Sequence, residues 1–436
     1  MAASDSRANE MPDKRRLLRA MFDAAVAAAH PDHCLSSHLP ATPNGRIVIL
    51  AAGKGAAAMA AAAERHYLDD LRFPPERFTG LATTRHGHGV PTRRVAIIEA
   101  GHPVPDEASL RAAEQALQLA ARATVDDLVL VLLSGGGSAN WIAPVEGVGF
   151  AQKQAITRQL LRSGAPIGDI NAVRKHLSRI KGGRLARAAA PARVGTFAIS
   201  DVPHDDPAVI ASGPTVPDPT TLADARDVLK RYGIAPDDVI LRALNDPANE
   251  SCKAGDTAFA NARFTLLARP RDALDAAIEI AMQAGYDVRD LGECEGEARE
   301  VASAHAQIAR AAREESRRVA LISGGELTVT VRGNGRGGPN QEYALGLLAA
   351  LDDMAGIAAL AADTDGADGG GGAPTDPAGA FADASVAQAA HRQQLDPHAF
   401  LADNDATGFF ERSGGLLLTG PTLTNVNDLR VILIER

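Results

Sequence analysis

Cysteines, aromatic side chains and long apolar runs are all scarce in this sequence. Its 436 residues include three cysteines, Cys34, Cys252 and Cys294, too few and too scattered for a disulfide framework or a cysteine-rich zinc site. No apolar run approaches the roughly 20 residues that cross a bilayer. These absences exclude a disulfide-stabilised or membrane-inserted protein, and we expect a cytoplasmic one.

A surplus of basic residues is also missing. The formal net charge is −9 and the sequence pI is about 5.8, so the chain lacks the basic face that binding to nucleic acid requires. Aromatic residues make up 4% of the chain and hydrophobic residues 45%, which predicts cores of small aliphatic side chains. This composition is typical of α/β proteins, and any anionic ligand must meet a local positive site.

Apolar runs alternate with helical patterns along most of the chain. Buried strands are predicted at Arg46 to Leu50, Val95 to Glu99, Leu128 to Leu133 and Val194 to Ile199. A second alternating series starts with a strand near Phe264. We therefore expect two α/β domains with largely parallel sheets, at residues 12–255 and 256–436.

The first residues predict an amphipathic helix. The apolar side chains recur at helical spacing at Leu17, Leu18, Met21, Phe22, Ala25 and Val26. Arg19 and Asp23 interrupt this segment, so it does not match a signal peptide.

A glycine turn follows the first predicted strand and opens a helix. Gly53-Lys54-Gly55 satisfies a relaxed dinucleotide fingerprint, but the next strand runs into Arg85-His86 without the acid that would hold a ribose. Gly53 would let a ligand approach the backbone, and Lys54 would add a positive charge beside the helix N-terminus. A solvated turn lysine is the alternative.

A second glycine turn follows the strongest apolar run. Ser134, Gly135, Gly136 and Ser138 stand where parallel sheets place ligands, and we interpret them as phosphate-binding. Ser134 does not match a hydrolase nucleophile, because Leu132 occupies the first glycine position of that motif.

A basic segment and an acidic turn complete the first half. Arg174 and Lys175 would share one face of a helix, with Lys181 one turn further on. Arg174 and Lys175 either bind an anion or are simply exposed to solvent. Asp201 follows a strand and could accept a hydroxyl proton or hold a metal.

The segment from Ser323 to Asp376 combines glycine turns, an arginine and carboxylates. Its candidate nucleotide contacts are Gly324, Gly325, Glu326, Gly337 and Asn340, and its candidate Mg²⁺ ligands are Asp363 and Asp365. Arg336, in the same segment, is a candidate catalytic residue. Grouped carboxylates and backbone amides together suggest a polyphosphate held through a metal. For Gly369 to Gly372 we favour a flexible linker.

These motifs together resemble the glycerate 2-kinase family over nearly the whole chain. The resemblance rests on Ser134 to Ala139, Asn171 to Gly183, Ser200 to Asp206, Ser212 to Thr215, Ser323 to Glu342, Asp363 to Gly366 and Thr419 to Asp428. It implies a glycerate-kinase N-terminal domain of Rossmann-like type and a smaller MOFRL-type C-terminal domain, facing each other across a cleft. It also implies phosphorylation of D-glycerate to 2-phosphoglycerate with ATP and Mg²⁺. Lys54 and Arg336 match the expected basic active-site residues, whereas Leu423 stands where we expect glycine.

In this interpretation each group has an expected role. Asp201 takes the proton of the C2 hydroxyl, Arg174 and Lys175 hold the substrate carboxylate, and Lys54 or Arg336 stabilises the transferring phosphoryl group. Two alternatives stay open: an NAD(P)H-dependent hydroxypyruvate reductase, whose label the family has also carried, and a non-catalytic sugar-acid-binding protein. The expected partners are small molecules, with neither nucleic acid nor membrane, and a homodimer is the candidate assembly.

Overall fold

The computed structural model describes residues 11–315, 317–351, 353–370 and 373–435, and the chain divides into two compact units. The N-terminal unit comprises Cys34–Leu267. The C-terminal unit combines the described part of Met1–His33 with Ala268–Arg436. Each unit is built around one six-stranded sheet.

The sheet of the N-terminal unit has the strand order β3-β2-β1-β4-β5-β6. Its strands are β1 (Ile47–Ala52), β2 (Phe78–Arg85), β3 (Val95–Ala100), β4 (Leu128–Leu133), β5 (Arg193–Ile199) and β6 (Ala262–Ala268). The pairings from β3 through β5 are all parallel. Because β1 and β4 are buried along their whole length between helices, they consist almost entirely of aliphatic residues. The predicted parallel sheet is confirmed.

Helices cover this sheet and extend beyond it. They are α3 (Ala56–Glu64), α4 (Glu107–Ala121), α5 (Gly137–Asn140), α6 (Phe150–Arg162), α7 (Ile167–His176), α8 (Arg184–Ala189), α9 (Leu222–Arg231) and α10 (Asp238–Asn245). Helices α6, α7, α9 and α10 share an aliphatic core of their own, separate from the one beneath the sheet.

The C-terminal unit differs from the predicted parallel arrangement. Its main sheet has the order β13-β12-β11-β14-β9-β7, and β8 pairs with β10 in a small second sheet. The strands are β7 (Asp287–Glu293), β8 (Gly296–Glu297), β9 (Val319–Gly324), β10 (Leu327–Thr328), β11 (Ile357–Asp363), β12 (Gly379–Asp383), β13 (Leu416–Leu417) and β14 (Asp428–Ile434). Only the β7–β9 pair of the main sheet is parallel. The sheet is mixed because β14, the last strand, inserts antiparallel between β9 and β11.

The helices of the C-terminal unit include the first helix of the chain. They are α1 (Met11–Ala28), α2 (Pro31–Cys34), α11 (Pro270–Gln283), α12 (Ala298–Arg313), α13 (Pro339–Ala350), α14 (Ala384–Arg392), α15 (Pro397–Ala402) and α16 (Ala406–Ser413). No helix in the described part of the chain is long and apolar enough to cross a membrane.

Two elements lie on the other side of the predicted domain boundary at residue 255. The predicted amphipathic helix forms as α1, but it packs against α11, and its Lys14 pairs with Glu435 at 3.0 Å. The strand predicted near Phe264 forms as β6, but it joins the first sheet rather than starting the second. The units therefore differ from residues 12–255 and 256–436 at both ends of the N-terminal unit.

Candidate active site

The turns that follow β1, β4 and β5 lie at one edge of the first sheet. Parallel strands bring their carboxyl ends together, and ligands of open α/β sheets bind at that edge. The edge carries Lys54 after β1, the Ser134–Ser138 turn after β4 and Asp201 after β5. These three of the four predicted motifs of the N-terminal unit thus follow neighbouring strands.

The backbone amides of the Gly53 turn are already used within the protein. The amide of Lys54 donates to Gly135 O at 2.8 Å, and that of Gly55 donates to Ser134 Oγ at 2.9 Å. Gly53 has a φ of +127°, and a Cβ there would lie 2.4 Å from Ser134 O. Gly53 therefore allows the two turns to pack together. The buried hydroxyl of Ser134 joins the turns through its hydrogen bond with Gly55.

The next two residues offer unused donors. The amides of Gly135 and Gly136 donate to no acceptor in the described part of the chain. A Cβ on Gly136, whose φ is +84°, would lie 2.8 Å from the His102 ring. Because Gly135 and Gly136 have no side chains, an anion can approach these two amides closely.

A cavity of about 290 Å³ opens beside this turn. Its lining combines cationic and apolar side chains, and it consists of His102, Pro103, Val104, Pro105, Gly136, Ser138, Ala139, Ile142, Lys153, Gln154, Thr157, Arg158, Leu161, Arg174 and Lys181. Pockets of this size accommodate small organic ligands.

Two cations converge on the hydroxyl of Ser138 in the cavity. Arg174 donates to Ser138 Oγ at 2.7 Å, and Lys181 Nζ lies 2.9 Å from the same oxygen and 2.8 Å from Ser138 O. Ser138 Oγ also lies 2.7 Å from Ser212 Oγ. No carboxylate in the described residues pairs with either cation. The Arg174 guanidinium therefore supplies an uncompensated positive charge at the cavity floor, as an anion site requires.

A third buried cation supports the helix behind the floor. Lys153 Nζ donates to Arg174 O at 2.7 Å and to Leu177 O at 3.0 Å, at the carboxyl end of α7. Burial lowers the pKa of the Arg174 guanidinium to about 10. Burial and the neighbouring cations also hold the pKa values of Lys153 and Lys181 well below their usual range.

Lys175 does not accompany Arg174 to the cavity, contrary to its predicted role beside the substrate. Its Nζ donates to Asp218 Oδ1 at 3.1 Å, and both side chains are buried. Helix α7 ends at His176, and the chain then turns back through Gly182 and Gly183, both with positive φ. This turn, rather than a continued helix face, brings Lys181 to Ser138.

Strained backbone lies beside the same turn. Ala211 and Ser212 adopt φ of 49° and 63°, a region that residues with a Cβ seldom occupy. A Cβ on Gly137 would lie 3.1 Å from the Ala211 methyl group. The strain holds buried Ser212 against Ser138.

In the C-terminal unit, the Ser323–Glu326 turn rests on Arg430. This buried guanidinium donates to Gly324 O, lies 3.3 Å from Ser323 Oγ, and pairs with Asp428 at 3.0 Å. Gly325 has a φ of +85°, and a Cβ there would lie 2.5 Å from Cys294 O. Both glycines are therefore constrained by packing, and Glu326 is the exposed residue of the turn.

The loop that carries Arg336 lies on the segment that opens α16. A Cβ on Gly335 would lie 2.4 Å from that of Asp405, and a Cβ on Gly337 would lie 3.3 Å from that of Ala406. The amide of Arg336 donates to Asp405 Oδ1 at 3.1 Å, while its exposed side chain pairs with Glu411 at 2.8 Å. The backbone is fixed and the guanidinium stays at the surface.

Asn340 lies in the interior of the C-terminal unit. Only 1% of it is exposed, and its Nδ2 donates to Asp368 at 3.2 Å and to Asp428 at 2.7 Å. Asp368 also accepts the amides of Asn340 and Gln341 at the start of α13. The predicted nucleotide contact is thus part of a buried network.

The candidate metal ligands form a compact turn. Asp363 Oδ1 accepts the amide of Asp365 at 2.9 Å, and Asp365 Oδ1 accepts that of Ala367 at 2.8 Å. The described residues contain no group of three or more histidine, cysteine, aspartate or glutamate side chains that could hold a metal. Mg²⁺ in phosphoryl-transfer sites uses one or two carboxylates together with substrate phosphates, so this pair fits a metal that arrives with its nucleotide.

The turn before β14 supports this acidic segment. Leu423 has a φ of +65°, which agrees with the expectation of glycine there, and Thr422 N donates to Asp365 O at 3.1 Å. Gly369, assigned to a flexible linker, is packed instead: a Cβ there would lie 2.6 Å from Gly337 O. Gly371 and Gly372 lie outside the described residues.

Lys153, His102 and Ser212 were missed as candidates from the sequence. They lie far apart in the chain, and only the fold brings them to the turn after β4. Lys181 belongs to the predicted basic segment, but it was expected on the helix, and it lies in the turn that follows α7.

Two family models match the chain. Residues 17–245 match a domain of unknown function designated DUF4147, and residues 319–428 match the MOFRL family. The fold and site therefore define an α/β protein of the class that combines these two domains.

Named relatives identify the family more closely. A D-glycerate 2-kinase from Thermotoga maritima is 38% identical over 96% of this chain and 98% of its own length. The crystal structure of a glycerate kinase from Thermotoga maritima matches with a TM-score of 0.84 and 38% identity, covering 97% of this chain and 100% of that one. A protein of Agrobacterium vitis, named as a candidate hydroxypyruvate reductase, is 47% identical over 96% of this chain and 94% of its own length. This chain belongs to the glycerate kinase family, which confirms the resemblance seen in its motifs.

Proposed function

We propose that this protein is a glycerate 2-kinase, which transfers the γ-phosphoryl group of ATP to the C2 hydroxyl of D-glycerate. The observation that carries the proposal is the cavity at the edge of the first sheet. There Arg174 and Lys181 meet on Ser138 without a carboxylate in the described residues. The buried guanidinium of Arg174 has no counter-ion there, which is unfavourable, so an anionic ligand stabilises this arrangement.

Arg174 holds the substrate carboxylate in this proposal, because a guanidinium binds a planar carboxylate through paired donors. Lys181, and not Lys175, is the second basic side chain beside the substrate in this proposal. Phosphate oxygens are assigned to the unused amides of Gly135 and Gly136. The Ser323–Glu326 turn and Gly337 remain candidate nucleotide contacts.

Mg²⁺ is assigned to Asp363 and Asp365, whose oxygen donors suit it. When bound, it supplies charge neutralisation at the nucleotide phosphates. Lys54 and Arg336 are assigned to the phosphoryl group in transfer, and Asp201 is a candidate acceptor of the hydroxyl proton. We place the enzyme in the cytoplasm, with a homodimer as the candidate assembly.

The reductase alternative rests on the Gly53-Lys54-Gly55 turn and on the names of some relatives. A dinucleotide pyrophosphate binds the amides of such a turn. Here the amides of Lys54 and Gly55 already donate to Gly135 and Ser134. The turn therefore favours the kinase.

The deciding experiment incubates the purified protein with D-glycerate, ATP and Mg²⁺ and follows ADP by a coupled assay. The phosphorylated product is assigned by ³¹P NMR against 2- and 3-phosphoglycerate. We expect ADP and 2-phosphoglycerate in equal amounts. NAD(P)H oxidation by hydroxypyruvate, without ADP formation in the kinase assay, would establish the reductase instead.

A further inference from the structure

Lys181 is almost completely buried, with 2% of its surface exposed, yet it lines the cavity. Its Nζ lies 2.8 Å from Ser138 O and 2.9 Å from Ser138 Oγ. Nζ makes these two hydrogen bonds and no other within the described residues. The nitrogen thus has one tetrahedral position left beyond its own Cε and the two Ser138 oxygens.

The charge of Lys181 decides whether a hydrogen atom or a lone pair stands at that fourth position of Nζ. An ammonium carries a third hydrogen there, whereas a neutral amine carries a lone pair. Burial is the largest effect on its pKa, and Arg174, Lys153 and Lys175 all act in the same direction. No described carboxylate opposes them. These surroundings favour the neutral amine, whose lone pair can accept a proton.

Arg174 and Lys181 also suit one kind of substrate geometrically. Both contact the same hydroxyl oxygen of Ser138, so a guanidinium and an amine stand side by side. In a 2-hydroxy acid, the carboxylate and the hydroxyl oxygen are carried by adjacent carbons. Such an acid can place its carboxylate on Arg174 and its C2 hydroxyl on Lys181 at the same time.

We propose that Lys181 is the general base that removes the C2 hydroxyl proton of a 2-hydroxy acid anchored through its carboxylate by Arg174. The inference rests on the proposed kinase function and assigns this role to Lys181 instead of Asp201. The proton passes to Nζ, and the C2 oxygen forms a bond to the γ-phosphorus. The bond from that phosphorus to the bridging oxygen breaks, and ADP departs with the electron pair. Lys181 then loses its proton to solvent.

The pairing of anchor and base also accounts for the position that is phosphorylated. A hydroxyl on the carbon next to the carboxylate reaches Lys181, whereas a hydroxyl one carbon further away lies beyond it. The 3-hydroxyl of glycerate is not needed in this arrangement. We therefore expect lactate to be phosphorylated, with a higher KM than D-glycerate, and 3-hydroxypropionate to be inert.

Substitutions at Lys181 test the base directly. We expect Lys181→Arg and Lys181→Ala each to lower kcat by about 10²–10⁴-fold, the usual contribution of a general base, with KM for D-glycerate changed less than about threefold. Methylamine should restore turnover to Lys181→Ala but not to Arg336→Ala, because an amine does not replace a guanidinium. Circular dichroism and thermal melting show whether each variant folds.

Other results overturn the inference. Wild-type protein that forms no ADP refutes the kinase function itself. If the wild type is active and Lys181→Arg keeps a tenth or more of its kcat, Lys181 acts as a fixed charge and not as a base. Where the variants fail to fold, the wild type decides, because phosphorylation of 3-hydroxypropionate as fast as lactate contradicts the pairing.

Discussion

Lys54 and Arg336 are both fixed in place by hydrogen bonds of their backbone groups. The amide and carbonyl of Lys54 are both hydrogen-bonded, to Gly135 O at 2.8 Å and from Thr84 Oγ1 at 3.1 Å. Arg336 is anchored through Asp405, and its guanidinium reaches Glu411 at the surface. An exposed ion pair of this type contributes little to stability. Loss of either cation should therefore affect chemistry more than folding.

We predict that Lys54→Ala and Arg336→Ala each lower kcat by about 10²–10³-fold, as expected when a charge that stabilises a transition state is removed. Melting temperatures should stay close to that of the wild type. Arg332→Ala is the matched control, because Arg332 is exposed in the same loop. Near-normal turnover in both variants would contradict the assignment.

Leu423 offers a separate test of backbone strain. A leucine in the left-handed region costs about 1–2 kcal/mol, part of which glycine returns through its greater freedom in the unfolded chain. We predict that Leu423→Gly raises the free energy of unfolding by roughly 0.5–1 kcal/mol, measured by urea denaturation. Asn427→Gly should have a smaller effect, since asparagine tolerates its φ of 63°. A less stable Leu423→Gly variant would show that the leucine side chain matters more than the strain.

At the scale of elements, α12 and α13 are joined by a buried hydrogen bond. His305 Nδ1 lies 2.8 Å from the Tyr343 hydroxyl, and His305 Nε2 lies 3.9 Å from Cys294 Sγ. Burial, and then the charge of Arg430, lowers the pKa of His305 to about 4. The folded protein therefore keeps this imidazole neutral at pH values where the unfolded chain protonates it.

This difference predicts acid sensitivity. Below the unfolded pKa of about 6.5, the unfolded state binds more protons than the folded state, so stability falls as the pH drops towards 4. We expect His305→Gln to reduce this slope, by at most about 1.4 kcal/mol per pH unit, in urea denaturation between pH 7 and 5. His391→Gln, in an exposed position of α14, is the control. Equal slopes in the wild type and His305→Gln would show that His305 is not the cause.

Elements and their pairing were not equally predictable from the sequence. Strand β4 was located at its correct ends because six consecutive aliphatic residues lie between a turn and a glycine triplet. The order of the second sheet was not accessible, since apolar periodicity does not encode which strands pair. Strand β14 pairs with β9, about a hundred residues earlier in the chain.

The candidate site was predictable where function depends on a local turn. Gly136 after β4 has this property, because its φ of +84° favours glycine in the sequence itself. Lys181 and Lys175 show the opposite case. Helical spacing placed both on one surface, but the end of α7 at His176 sends Lys175 to Asp218 and Lys181 to Ser138. Where a helix ends is the least certain feature of such patterns.

At the scale of the whole molecule, the position of β6 sets the extent of the N-terminal unit. Asn261 O accepts the amide of Val194 at 2.9 Å, and Phe264 and Leu266 pack on the core beneath the first sheet. Without β6, strand β5 becomes an exposed edge and part of the core is uncovered. The predicted boundary at residue 255 would remove this strand.

We therefore predict that a fragment of residues 34–268 is soluble and unfolds cooperatively. A fragment of residues 12–255 should be insoluble and should show no cooperative unfolding. The fragment of residues 12–255 lacks β6 and carries α1 without α11, against which α1 packs. Size-exclusion chromatography and thermal melting of both fragments check this. A cooperative transition for residues 12–255 would show that β6 is dispensable.

The placement of α1 has a consequence for synthesis. This helix is synthesised before α11, its packing partner, and the whole N-terminal unit lies between them in the chain. At bacterial-type elongation rates of 5–20 residues per second, α1 waits roughly 10–50 s for that partner. Its buried face, which includes Leu18, Met21 and Phe22, stays uncovered for that time. We expect helix α1 to be a binding segment for chaperones that act during translation.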